Sequence, residues 1–149
     1  MKTPELILLA RAAAARYGLR GELVLAVIEQ ESNFNEFAVR YEPAFMSRYV
    51  SPLFLKGGMT PTEAYTRAMS WGLMQVMGQV ARELGFRGHF LSELCAPMNS
   101  IEYGCMKLAA GMKRHDGDET KALLAYNGGG RAEYATEVLA RVNSYKEMT

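Results

Sequence analysis

Apolar residues recur at intervals of three and four along almost the whole chain, and no run of strict alternation competes with them. Stretches of this kind bury their apolar side as helices packed on other helices. The sequence therefore predicts a mainly α fold with little or no β. The cleanest stripe is Ile101, Cys105, Leu108, Ala109 and Met112. Others run through Leu23, Val24, Val27 and Ile28, and through Tyr134, Val138, Leu139, Val142 and Tyr145.

Start and stop signals sharpen the pattern. Thr3-Pro4-Glu5 reads as an N-cap with proline at the first helical position, opening a helix to Tyr17 that stops at Gly18. The second helix should end near Ser32-Asn33, and residues 43–50 should form a short one. Thr60-Pro61-Thr62-Glu63 has the form of a capping box. A helix from about Gly72 would carry Val76, Met77, Val80, Ala81 and Leu84 on one side and stop at Gly85. Asp118 is the expected N-cap of a helix that ends in Asn127-Gly128-Gly129-Gly130. Any β structure is expected between residues 33 and 60 or 85 and 95. No repeat or linker divides the chain, so residues 1–149 are expected to form one domain.

Charge and composition remove several classes of function. The 17 Lys and Arg against 16 Asp and Glu leave a net charge of +1, with no long run of one sign, which argues against nucleic acid as a partner. The longest stretch free of these residues, Ala68 to Ala81, is shorter than the roughly 18–20 residues that cross a bilayer. Leu6–Ala10 is interrupted by Arg11, so the N-terminus reads as a helix rather than a signal peptide. His89 and His115 are isolated and no metal-ligand motif is present, so neither a metal nor a cofactor is expected. Gly128-Gly129-Gly130-Arg131 lacks the Gly-Lys-Ser/Thr of a phosphate loop. Cys95 and Cys105 are expected to be free, buried thiols.

The candidate chemistry centres on Glu31. Leu23, Val27 and Glu31 are four residues apart, so Glu31 lies on the apolar stripe, whereas Glu29 shares the opposite face with Glu22. A carboxyl in apolar surroundings has a raised pKa and suits a general acid. The alternative is that Glu31, in the last turn of its helix, emerges into solvent or pairs with an arginine. Ser70-Trp71-Gly72-Leu73-Met74-Gln75 combines a glycine, an amide and large apolar groups that could line a groove, or simply pack. Ala125-Tyr126-Asn127-Gly128-Gly129 sets a phenol and an amide before glycines that permit close approach.

Taken in order, Glu31-Ser32-Asn33-Phe34-Asn35 with Ala38, Gly72-Leu73-Met74-Gln75-Val76-Met77, Asn99-x-Ile101-x-Tyr103-Gly104 and Ala125-Tyr126-Asn127-Gly128-Gly129 resemble the successive motifs of the soluble lytic transglycosylases. These are the goose-lysozyme-like family, glycoside hydrolase family 23, and the resemblance spans roughly Gly21 to Leu139. It implies a lysozyme-like helical fold whose cleft binds peptidoglycan glycan strands. It further implies that Glu31 protonates the oxygen between N-acetylmuramic acid (MurNAc) and N-acetylglucosamine (GlcNAc). Glu31 would then act as base toward the muramyl 6-hydroxyl, giving a 1,6-anhydro end. Met74 and Gln75 match positions that line the cleft, Tyr126 a tyrosine near the acid, and Asn127 its neighbour. Ser32 matches the residue after the acid, in a supporting role.

Two departures stand out. Met77-Gly78 replaces the family's usual Met-Pro, and residues 39–71 form a long insert before Gly72. The insert contains Arg40-Tyr41-Glu42-Pro43, which resembles phage-associated peptidoglycan-cleaving enzymes. Glu42 could orient substrate, pair with Arg40 or serve as a second acid; an exposed ion pair is the commoner outcome for such a residue. The competing readings are a hydrolytic muramidase using Glu31 with Glu42 or another carboxylate, and a non-catalytic glycan-binding or virion structural domain. With no leader read, the expectation is a monomeric phage product that reaches the wall at lysis or in the virion.

Overall fold

The computed structural model describes residues 1–146 and Met148. Helix α1 (Pro4–Arg16) begins as its caps dictate: Thr3 Oγ1 accepts from the Leu6 N–H at 3.2 Å, and Gly18 follows in the left-handed region. Helix α2 (Gly21–Ser32) is the central element, with Leu23 to Val27 fully buried. It packs against α1 and against the last helix, α9 (Glu133–Lys146). Between them α7 (Pro97–Arg114) pairs with α8 (Glu119–Tyr126), whose N-cap Asp118 accepts from the Lys121 N–H. Ile28, Leu73, Met74, Ile101, Leu108 and Tyr134 meet in the main core. Among the described residues no helix is long and apolar enough to cross a membrane.

The insert builds a separate layer. Strand β1 (Val39–Tyr41) leads into a continuous helical stretch: α3 (Pro43–Phe45), a π-helical turn over Met46–Val50, and α4 (Ser51–Leu55). Helix α5 (Pro61–Arg67) returns the chain to strand β2 (Met69–Trp71). Val50, Ala64 and Ala68 form a small core of their own here, apart from the main one. The short helix expected over 43–50 is thus real but longer.

One helix was misplaced by its stripe. From Gly72 the chain makes a turn, and Val76–Met77 form strand β3, antiparallel to β2, which itself pairs with β1. Helix α6 starts only at Gly78 and runs to Glu83. Gly72 (φ +68°) and Gln75 (φ +50°) both adopt left-handed conformations that no helix accommodates. Two of the three short strands therefore lie outside the windows expected for β, and residues 85–95 contain a 3-10 turn, Leu91–Cys95, instead of a strand. The capping box at Thr60 is half present: Thr60 Oγ1 accepts from the Glu63 N–H, while the Glu63 carboxylate turns to Arg67 and Arg82. Two guanidiniums outbid a neutral N–H for that carboxylate. Both cysteines are free; Cys105 is buried and Cys95 half-buried.

Candidate active site

A cleft of about 850 Å³ opens between the insert and the helical body. The insert supplies one side through Arg40, Glu42, Phe45, Arg48, Tyr49 and Leu53. The other is built from Gln75, Met77, Gln79 and Glu83, with Glu31, Lys107, Asn127 and Gly128 from the helices.

Glu31 reaches the cleft because α2 ends there. Asn33 (φ +50°) and Phe34 (φ +61°) turn the chain sharply after Ser32. Asn tolerates this region and a buried Phe does not do so without strain, the kind of local strain that gathers at functional sites. Tyr134 Oη donates to Glu31 Oε1 at 2.5 Å. Burial pushes the Glu31 carboxyl above its ordinary pKa, and the Tyr134 bond, Lys107 and Arg40 pull the other way by favouring the carboxylate. Desolvation prevails. The neighbouring phenols of Tyr134 and Tyr126 are held well above their ordinary range, chiefly by burial, so each remains a donor. Glu29 is committed elsewhere, to Arg141 and Tyr145.

Lys107 is the cation beside this acid. Its Nζ donates to the Tyr126 carbonyl oxygen at 2.8 Å and lies 4.1 Å from the centre of the Tyr126 ring. Burial lowers its pKa to about 8, with Glu31 opposing. Its positive charge favours ionised Glu31, so Lys107→Met should raise the Glu31 pKa. If cleavage needs protonated Glu31, the alkaline limb of the pH–rate profile then moves to higher pH, while Lys107→Arg keeps it in place. A limb that stays put or moves down in Lys107→Met contradicts this role.

The remaining sequence candidates divide into those in the cleft and those behind it. Glu42, Gln75 and Asn127 line it. Glu42 pairs with Arg40 at 2.6 Å. Gln75 is fixed from three directions: its Nε2 donates to the carbonyls of Ala38 and Gly72, and its Oε1 accepts from Ser70. Tyr126 stands behind, its hydroxyl donating to the Met74 carbonyl at 2.6 Å. Ser32 Oγ donates to the Leu73 carbonyl at 2.8 Å, tying the end of α2 to the same turn. The Met74 side chain is fully buried and faces Gly104, where an added Cβ would stand 2.3 Å from its sulfur. That contact accounts for Gly104 of the third motif, and the neighbouring Ser100 Oγ accepts from the Met74 N–H at 3.0 Å.

A profile for the transglycosylase SLT domain matches residues 8–146, nearly the whole chain. The chain belongs to the SLT transglycosylase family. SLT domains carry lytic transglycosylase activity on peptidoglycan, so peptidoglycan is the substrate and the cell wall is where the chain acts. No solved structure matches the chain. No sequence motif marks Tyr134 or Lys107 of this SLT domain, and by spacing alone Tyr134 is one residue of a helical stripe. The insert, conspicuous in the sequence as a departure, proves to be a wall of the cleft.

Proposed function

We propose that the protein cleaves the MurNAc-β-1,4-GlcNAc bond without water, with Glu31 as acid and then as base. Protonated Glu31 gives its proton to the glycosidic oxygen as the bond to C1 breaks. The resulting carboxylate takes the proton of the muramyl 6-hydroxyl while that oxygen closes on C1, leaving a 1,6-anhydro end. Glycosidases ordinarily use two carboxyl groups about 5–9.5 Å apart. An internal hydroxyl as nucleophile makes the second dispensable. The observation that carries this reading is that Glu31 combines a place in the cleft, a raised pKa and a fixed donor at 2.5 Å. In this reading Gln75, Asn127 and Glu42 contact the glycan, while Ser32, Met74 and Tyr126 hold the turn that presents Gln75.

Glu42 lines the same cleft, which favours one second reading: a muramidase in which Glu42 activates water. Its pairing with Arg40 argues for the first. Mass spectrometry of digested sacculi decides. The expected product is an anhydro end one water lighter than a hydrolysed reducing end; a hydrolysed end assigns the muramidase chemistry. Delivery to the wall as a phage lysis product or virion component belongs to the same proposal, motivated by the Arg40-Tyr41-Glu42-Pro43 resemblance. Detection of the chain in purified virions or phage lysates tests it.

A further inference from the structure

The chain's two departures from the family pattern, glycine after Met77 and the insert over residues 39–71, meet in space. The backbone here would accept the family's proline. Met77 is extended, at φ −63° and ψ 137°, as a residue before proline must be, and residue 78 is the first of α6, where proline costs no helical hydrogen bond. Gly78 does not adopt a left-handed conformation either, so backbone freedom does not explain it. Space does. A Cβ at Gly78 would stand 2.4 Å from the Thr66 carbonyl oxygen and 2.9 Å from the Arg67 Cα, main-chain atoms at the end of α5 in the insert, and 2.9 Å from Leu91 Cδ1. The Thr66 carbonyl is held in place by the Trp71 indole N–H, which donates to it at 2.9 Å. Proline, or any residue with a side chain, would push α5 away from α6.

Polar contacts close around this seat. Arg82 of α6 donates from Nε to Glu63 Oε1 at 2.7 Å and from Nη2 to Glu63 Oε2 at 3.2 Å, and its Nη1 is fixed on the Phe86 and Gly88 carbonyls. From the insert, Arg67 Nη1 donates to Gln79 Oε1 at 3.1 Å, one residue past the glycine. Helix α5 in turn carries the wall of the cleft. Ala64 packs with Val50 and Ala68 in the insert's small core, so Phe45, Tyr49 and Leu53, which line the cleft, take their position relative to Glu31 from the fit of α5 on α6.

We propose that Gly78 is a positioning residue for the glycan: its missing side chain is the socket in which the insert seats, and that fit sets the width of the cleft. This rests on the proposed function, which puts the glycan in that cleft, and adds how the insert is held as its wall. A residue that acts through the wall should change how strongly the glycan is bound and leave the bond-breaking step at Glu31 intact.

The test measures KM and kcat on soluble glycan strands for the full chain and for Gly78→Ala and Gly78→Pro. KM should rise about fivefold in Gly78→Ala and further in Gly78→Pro, while kcat stays within about twofold of the parent. Hydrogen exchange should show the amides of α4 and α5 opening faster in both variants, with those of α2 and α7 as in the parent. Glu63→Gln, which loosens the same seat from the other side, should raise KM about twofold. If neither Gly78 variant folds, Glu63→Gln decides, and an unchanged KM there overturns the inference. A parental KM in Gly78→Ala or Gly78→Pro, or a loss confined to kcat, overturns it as well. A parent that cuts no glycan strand overturns the proposed function itself, and this inference with it.

Discussion

Glu31→Gln should lower the rate of peptidoglycan cleavage by about 10²–10⁴-fold, the usual weight of a positioned general acid. The same variant should be at least as stable as the parent at pH 7. Burial raises the folded-state pKa of Glu31 above the unfolded one. The favourable contribution of the neutral carboxyl to folding is therefore fully present below the unfolded-state value and is lost as pH rises through the folded-state value. Glutamine is neutral throughout and still accepts from Tyr134, so the stability gap should be open at pH 7 and close toward pH 4. Thermal melts across that range check it. An inactive variant that is also less stable than its parent at pH 7 would mean that Glu31 is held mainly as an ion.

The second large effect is on the turn beneath the cleft. An alanine Cβ at Gly72 would stand 2.6 Å from the Leu94 carbonyl oxygen and 2.8 Å from Ser100 Oγ, at a φ of +68°. Left-handed backbone and a clash with main chain act together here, and Gly72→Ala should destabilise by about 3 kcal/mol. For a chain of this size that corresponds to a fall of about 10 °C in Tm. Activity should fall with it, because Leu73 and Met74 offer the carbonyls that Ser32 and Tyr126 bind, and Gln75 follows directly. Gly128→Ala is the control: φ is +80° but nothing lies within 4 Å of the added Cβ, leaving only the backbone term of about 1 kcal/mol. Equal melting temperatures for the two variants would show that the contact with Leu94 does not constrain the turn.

The helices were legible wherever local chemistry determines them. Thr3 and Asp118 cap as their side chains require, and the four-residue step from Leu23 through Val27 carries Glu31 to the cleft. What failed was local reasoning about a segment decided at long range. Val76, Met77 and Val80 satisfy a helical stripe, but Val76 pairs with Trp71, which pairs in turn with Val39 in the insert. Apolar spacing cannot register a partner thirty residues away.

The site divides in the same way. Glu31, Gln75 and Asn127 were visible through their motifs, whereas Tyr134 meets Glu31 across 103 positions of sequence. Nothing in the residues around Tyr134 distinguishes it from a core aromatic. Lys107 was hidden because it sits on the half-buried edge of α7, where an amphipathic helix ordinarily carries a lysine that reaches solvent. The Arg40–Glu42 pair was foreseeable, since Arg40 in β1 and Glu42, one residue past its end in still-extended backbone, are separated by a single position and share a face. That the pair would stand inside the cleft was not, because the position of the insert depends on the small core around Val50.

Catalysis by Glu31 requires its carboxyl to hold its proton above the ordinary carboxylate range in the free protein. Titration of Glu31 by carboxyl-selective carbon NMR reads this directly, with Glu31→Gln assigning the signal. The expected result is a midpoint clearly above the ordinary carboxylate value of 4.5. A midpoint at or below that value would contradict the account, because Glu31 would then be an ordinary ion with no proton to give.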